Sequence, residues 1–406
     1  ATFWAGVDTA LAAPATGLAA EPSIREELAR YRGHLLDARR YFGAGQSGQA
    51  VRSLAEARLP LESAITFVAT SAREQTPGTR GYLNDLLDRA EAVEQALLDM
   101  AGVVTRVRVD DDLIVPGEEV EVVVEVWNGG PYAIGEVGTS LDLPRGWSAD
   151  RQPMQTQPAT AGVAIASGQV FRQAYTVRIP ADADLSRLYY RTTAGTDAMY
   201  VWPEDEPEVW GLPKASRPIV GEVALSFVEA TGPGWDPNAG VPLRTPALSA
   251  VVPGQYVGVD QADGEFTHPP LIVPALSVIT EPRSLVWPSG PEGVPSEAKQ
   301  ITVRVENHAA EGRRGVVGVE VPDGWAVSPD GQPFDFDTPG QQSTFTFDVV
   351  PQRVNPGRFT FTVRAGAVSP ERSTADQAQL DMYTEGFSLL DYPHIERMAF
   401  FEPAEI

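Results

Sequence analysis

The hydrophobic repeat changes period at Gly102, and that change divides the chain into an α part and a β part. Before it, apolar residues recur every three or four positions, the spacing of one helix face; after it they alternate, the spacing of a half-buried strand. Ser23-Ile24-Arg25-Glu26 has the spacing of a capping box, and Ile24, Leu28, Tyr31, Leu35, Ala38 and Phe42 continue as one stripe. Gly43, Gly45 and Gly48 end that helix. A second carries Val51, Leu54, Leu61, Ile65 and Val68, with a kink predicted at Pro60. After a Pro77-Gly78 turn, a third presents Tyr82, Leu83, Leu86, Leu87, Ala90, Val93, Leu97 and Met100. Short connections predict antiparallel neighbours, hence a three-helix bundle over residues 22–102 whose stripes pack against one another.

Downstream, Val120, Val122, Val124 and Val126 alternate with Glu119, Glu121 and Glu125. An internal repeat organises the β part. Val122, Val124, Val126 and Asn128 match Ile301, Val303, Val305 and Asn307, and Thr139, Leu141 and Leu143 match Val317, Val319 and Val321. Both copies then close on the same turn, Pro144-Arg145-Gly146-Trp147 and Pro322-Asp323-Gly324-Trp325. Aromatic-rich strands come next, near 171–179 and 345–350, and a last pair is expected near Leu188–Arg191 and Phe359–Arg364. The expected organisation is an extended segment over 1–21, the bundle over 22–102, a β-sandwich over 103–204, a β-rich connector or extension of that sandwich over 205–285, a second sandwich over 286–385, and a docking strand or tail over 386–406.

The charge narrows the partners. The chain holds 55 acidic against 31 basic residues, a formal −24, and its only lysines are Lys214 and Lys299. Such a surface repels phosphate backbones and anionic lipid, so nucleic acid is not an expected partner. No apolar run approaches the length of a membrane span. With no cysteine, disulfides, thiolate zinc sites and cysteine nucleophiles are excluded. Residues 10–20 lack a basic n-region, so they do not read as an intact signal peptide.

Little in the sequence carries chemistry. The four histidines, His34, His268, His308 and His394, have no partner histidine at helical ligand spacing. Gly43-Ala44-Gly45-Gln46-Ser47-Gly48 satisfies the GxGxxG pattern, but a helix precedes it where the dinucleotide fingerprint needs a strand, so it reads as an interhelical turn. Asp110-Asp111-Asp112 and the run Glu204, Asp205, Glu206 and Glu208 lack the spacing of a calcium loop and read as solvated. No catalytic, cofactor or metal residue is therefore assigned. Trp147 and Trp325, at equivalent turns, are expected to plug the ends of their sandwiches. Trp202, Trp210 and Trp235 have no repeat counterpart and are the candidates for a glycan platform or interdomain contact. Phe387, Tyr392, His394 and Phe400, with Phe401, are candidates for a docking strand.

The opening Phe3-Trp4-Ala5-Gly6-Val7-Asp8-Thr9-Ala10-Leu11, the three helices, the paired sandwiches and the closing Leu390-Asp391-Tyr392-Pro393-His394-Ile395, in that order, resemble the accessory region downstream of the catalytic domain in large bacterial PIG-L/LmbE-type deacetylases. The sandwiches look like the immunoglobulin-like domains appended to secreted carbohydrate-active enzymes. The resemblance implies two immunoglobulin-like antiparallel β-sandwiches after a helical bundle, and a secreted, periplasmic or cell-surface location. It implies a role in spacing or orienting a catalytic domain on glycan or cell envelope. In that family zinc and a catalytic Asp belong to an upstream domain with a His-Pro-Asp-Asp-type motif. Here the only His-Pro is His268-Pro269, followed by Pro270, so neither zinc nor catalysis carries over to this chain. The alternative expectation is a stand-alone envelope or assembly protein that binds other protein subunits.

Overall fold

The computed structural model describes residues 22–71, 77–153, 165–186, 191–192, 200–201, 217–228, 245, 247–260, 264–282, 284–287, 297–352, 354, 359–368, 381–383 and 397–401. Three helices come first: α1 (Pro22–Gly43), α2 (Ser47–Ser71) and α3 (Pro77–Ala101). Pro60 lies inside α2, which continues on both sides of it. Their outer halves share a core of Ile24, Leu28 and Tyr31 with Ala57, Leu61, Ala64 and Val68 and with Tyr82, Leu86 and Val93. Their inner halves do something the helical period did not foretell. Ala38, Val51, Leu54, Leu97, Leu98 and Ala101 are buried in one cluster with Val103, Val124 and Phe227 of the β part. The stripes thus serve two cores, and Phe42 and Leu87, counted in them, are 65% and 46% exposed.

The β part begins with β1 (Val103–Val109), β2 (Leu113–Ile114), β3 (Glu119–Asn128), β4 (Ala133–Asp142), β5 (Ser148–Arg151) and β6 (Val170–Arg178). It continues with β7 (Arg191–Thr192), β8 (Tyr200–Val201), β9 (Val220–Val228), β10 (Leu248–Asp260), β11 (Gly264–His268) and β12 (Leu271–Ile272). In β3, Val122, Val124 and Val126 are fully buried while Glu119 and Glu121 face solvent. Each buried valine contributes about 2 kcal/mol. Strand order β1-β3-β6-β5 forms one layer, and β4-β9-β10 the other. Strand β10 serves both: Leu248–Pro253 run antiparallel to β9, and Gly254, Gln255 and Tyr256 run parallel to β1. The crossover falls at Gly254, where a Cβ would meet the Ile219 carbonyl oxygen at 3.0 Å. Strands β9 and β10 therefore pair with β4 and β1, and Ile219, Val223, Leu225, Phe227, Leu248 and Ala250 lie in the same core as Val122.

The last ten strands are β13 (Leu276–Glu281), β14 (Ser284–Val286), β15 (Lys299–Asn307), β16 (Arg313–Glu320), β17 (Trp325–Ser328), β18 (Gln332–Phe336), β19 (Gln342–Pro351), β20 (Phe359–Val368), β21 (Asp381–Tyr383) and β22 (Arg397–Phe401). They form two sheets, β13-β15-β19-β17 and β14-β22-β20-β16-β18, with β21 beside β20. Val303, Val305, Phe347 and Val349 from one sheet meet Val317, Phe336, Phe361 and Val363 from the other in a shared core.

The internal repeat is one of topology as well as sequence. The order β1-β3-β6-β5 recurs as β13-β15-β19-β17, and β9 stands beside β4 as β20 stands beside β16. Among the described strands β9 takes the place that β20, over Phe359–Val368, takes in the second copy; of the strand expected near Leu188–Arg191, residues 188–190 lie outside the described residues. In the first copy the chain runs from Arg178 to Val220 before supplying the strand, whereas Pro351 to Phe359 suffice in the second.

Two local devices fix each copy. Asn128 and Asn307 end their strands fully buried. Asn128 Nδ2 donates to the Tyr132 carbonyl at 2.6 Å, and Asn307 Nδ2 donates to Ala309 and Thr338, both at 3.1 Å. The backbone around each is gripped alike: Gly168 N–H to Asn128 O and Gly340 N–H to Asn307 O, both 2.7 Å, from glycines at φ +77° and +74°. That left-handed region favours glycine. The Pro-x-Gly-Trp turns also match, with Trp147 N–H donating to Pro144 O at 3.1 Å and Trp325 N–H to Pro322 O at 3.2 Å.

Candidate functional site

The chain changes packing partner at two seams. At the first, α3 runs into β1 through Gly102. Gly129 N–H donates to Gly102 O at 2.8 Å, and Gly130 lies so close that a Cβ there would fall 1.7 Å from the Ala101 carbonyl oxygen. Glu94 on α3, only 8% exposed, ties three elements together. Arg58 Nε of α2 donates to Glu94 Oε1 at 2.6 Å, and the Ser249 amide of β10 donates to Glu94 Oε2 at 2.8 Å. A carboxylate this buried is stable only because both oxygens are occupied.

The second seam joins the two β-modules. Strands β2 and β12 pair in parallel, Leu113 with Leu271 and Ile114 with Ile272. Ser186 clamps β12 from the other side: its N–H donates to Ile272 O, and the Ile272 N–H donates to Ser186 Oγ, both 2.8 Å. The chain then passes through Val273, Pro274 and Ala275 directly into β13, leaving no free linker. Val115 and Val273 meet Ala275 and Ala309 in a small buried cluster, with Leu113 and Leu271 packed against it. Glu118 Oε1 accepts the Ala310 amide at 2.8 Å, and His308 N–H donates to Ala275 O at 2.9 Å. His308, 5% exposed, shares a 2.5 Å hydrogen bond between Nε2 and Ser277 Oγ. Burial pushes its imidazole down to about 4, against the opposing pull of Asp111. The seam is thus an apolar plug with polar groups paired around it.

The acidic triplet at this seam is structural. Asp110 Oδ1 accepts the Glu121 amide at 2.8 Å, Asp111 Oδ1 accepts the Leu113 amide at 3.0 Å, and Asp112 Oδ2 lies 3.3 Å from His268 Nε2. Burial raises the Asp110 carboxyl, and its backbone hydrogen bonds oppose that shift. The carboxylates serve different partners, and among the described residues no three His, Asp or Glu converge as a metal site.

The tryptophans of the two matched turns differ in depth. Trp325 is buried, meeting Trp287 and Phe361 edge-on at 5.0 Å each, and Trp147 packs half-buried against the first core. Trp202, Trp210, Trp235, Phe387, Tyr392 and His394 lie outside the described residues, as does the Glu204–Glu208 run. Phe400 lies on β22, in register with Leu285 of β14 and Phe359 of β20. His34 sits 3.4 Å from Glu56, joining α1 to α2. The glycine run at 43–48 is the α1–α2 turn, with Gly45 at φ +71°. Among the described residues no helix is long and apolar enough to cross a membrane.

Residues 114–195 match the family described as the NPCBM-associated, NEW3 domain of alpha-galactosidase, which puts a module found on carbohydrate-active enzymes in the first sandwich. No curated protein matches the chain in sequence. Similar solved structures include WR4, an MSP family member of C. elegans, at 10% identity and TM-score 0.19, covering 31% of this chain and 96% of that one. The secreted serine protease VesC of Vibrio cholerae is 9% identical at TM-score 0.20, covering 64% of this chain and 48% of its own. Alpha-2-macroglobulin of E. coli is 12% identical at TM-score 0.21, covering 74% of this chain and 17% of its own. The chain thus spans under half the length of the last two, and likenesses at these scores bear on neither fold nor function.

Proposed function

We propose that this chain is a rigid, non-catalytic arm of a secreted carbohydrate-active enzyme, holding a catalytic domain at a fixed distance and angle from glycan or cell envelope. The observation that carries the reading is the pair of closed seams. The bundle shares its core with the first sandwich, and the second sandwich comes after β12 without a linker, with Glu118 accepting the Ala310 amide across the boundary and Val115 and Val273 packed with Ala309. Domains joined for independent motion have polar, flexible linkers and few contacts across the boundary. The NEW3 match supports the carbohydrate context. On this reading residues 22–260 act as one unit and 276–368 as a second, both sandwiches being immunoglobulin-like, and the parent enzyme is a PIG-L/LmbE-type deacetylase acting on N-acetylated sugars outside the cytoplasm. Zinc would belong to its catalytic domain; among the described residues of this chain none is arranged to hold it.

The test is the intact mass and N-terminal sequence of the native polypeptide from its source cells, with acetate release from N-acetylglucosaminides assayed on the same material. The reading expects a product larger than 406 residues carrying a zinc-dependent deacetylase domain. A 406-residue product with no deacetylase in the same polypeptide or complex contradicts it and favours the stand-alone assembly protein.

A further inference from the structure

The two repeat copies act as controls for each other, and one position separates them sharply. On the outer face of the first sheet, Trp127 stands opposite Val104 on β1 and Val170 on β6. Trp127 is 47% exposed and Val104 39%. The corresponding row in the second copy is Ser277, Glu306 and Gln342. The correspondence is fixed by the adjoining asparagines and by equivalent backbone bonds, Gly129 N–H to Gly102 O and His308 N–H to Ala275 O. A β-module of this topology therefore folds with polar residues across that row, so the fold does not require an indole there. The residue after Asn128 is special too. A Cβ on Gly129 would fall 2.7 and 2.8 Å from the Trp127 Cη2 and Cζ2 atoms, so only glycine lets the indole settle over the backbone. The second copy has His308 at that place and buries it in the seam.

We propose that Trp127 is a sugar-stacking platform, taking one pyranose ring of a neutral glycan. An exposed indole lying over Gly129 offers the apolar surface that the C–H face of a pyranose covers. One step along the sheet, Arg106, Glu125 and Arg172 form a charged row across the same three strands. Arg172 Nε donates to Glu125 Oε1 at 2.7 Å, which fixes the carboxylate. Donors and an acceptor fixed beside an apolar surface orient a ligand rich in hydroxyl groups. The chain's net charge of −24 disfavours polyanionic glycans, leaving neutral ones as the matching class. The inference rests on the accessory-arm reading for its choice of ligand and adds the site where the arm touches glycan.

The experiment is affinity electrophoresis of the full chain in gels containing glycol chitin or β-1,4-galactan, with calorimetric titration of N-acetylchitohexaose. Variants W127F and W127E are run beside it, the latter carrying the residue of the second copy. The platform predicts retardation of the wild type in at least one gel, a loss of about tenfold or more in W127E, and a few-fold loss in W127F, with unchanged thermal unfolding. No retardation in either gel with no heat of titration overturns it, as does equal retardation of wild type and W127E. Loss of a co-purifying catalytic domain from W127E, with sugar binding unaltered, also overturns it, in favour of a protein-docking face. The mass of the native polypeptide is independent of all these outcomes, so the platform can fail while the accessory reading stands.

Discussion

Replacing Gly130 by Ala destabilises the bundle and the first sandwich together, by about 3 kcal/mol or more. The added Cβ would sit 1.7 Å from the Ala101 carbonyl oxygen and 2.8 Å from its carbon, both backbone atoms at the end of α3. No side chain can swing aside to relieve that contact, so α3 must separate from the β3–β4 connection. Ala101 and Leu98 lie in the same buried cluster as Val103 and Val124, so the separation opens the core they share. Gly33, in α1, is the control: a Cβ there meets nothing within 4 Å. G33A should gain up to about 1 kcal/mol from helix propensity alone. Equilibrium unfolding by urea, followed by circular dichroism, checks both signs. A G130A variant as stable as the wild type would refute the close seam.

The second large effect is a dependence on pH. His308 is neutral in the folded protein, its imidazole held down to about 4 by burial, while in the unfolded chain it titrates near 6.5. Between those values the unfolded chain binds a proton that the folded one excludes. Stability is therefore complete above the unfolded value and falls progressively as pH drops from 6.5 towards 4. The loss is about 1.4 kcal/mol per pH unit and about 3 kcal/mol in all. The groups around it are Ser277, which shares the hydrogen bond, and Asp111, which pulls the other way. Asp110 and Glu306, whose carboxyls burial raises, contribute with the opposite sign, so the His308 contribution over the window from 6.5 towards 4 is read as the difference between the wild type and H308Q, which keeps both carboxyls. Unfolding free energies across that window should slope upward with pH in the wild type and flatten in H308Q. An unchanged slope in H308Q would remove His308 from the account.

Much of this architecture can be read from the amino-acid sequence, because local pattern and local structure agree over most of it. Val120 to Val126 alternate in and out of a core as their spacing demands, and the matched asparagines and Pro-x-Gly-Trp turns mark equivalent points of two sheets. The features that escape the sequence depend on partners distant in the chain. β9 and β10 join β4 and β1 across a long insertion, and the parallel β1–β10 pairing has no hairpin signal at all. The inner helix faces look self-sufficient on a helical wheel yet bury themselves under Val103 and Phe227. The seam at His308 is legible only as a histidine at a strand end, since its meaning lies in Ser277, Ala275 and Asp111. Trp127 takes the next outward position after Glu119, Glu121, Val123 and Glu125, so the alternation marks it only as solvent-facing; comparison with Glu306, at the same place in the second copy, is the signal that finds it.

A rigid arm holds its two β-modules at one fixed separation. The chain contains no cysteine, so R145C/D323C places spin labels at two chosen points only. Arg145 and Asp323 occupy the same turn in successive modules. Pulsed electron–electron double resonance on the doubly labelled full chain should give a single narrow distance distribution at about pH 7, where His308 is neutral in both states. A broad or multimodal distribution at that pH would mean the modules move independently, and the rigid-arm account would be wrong.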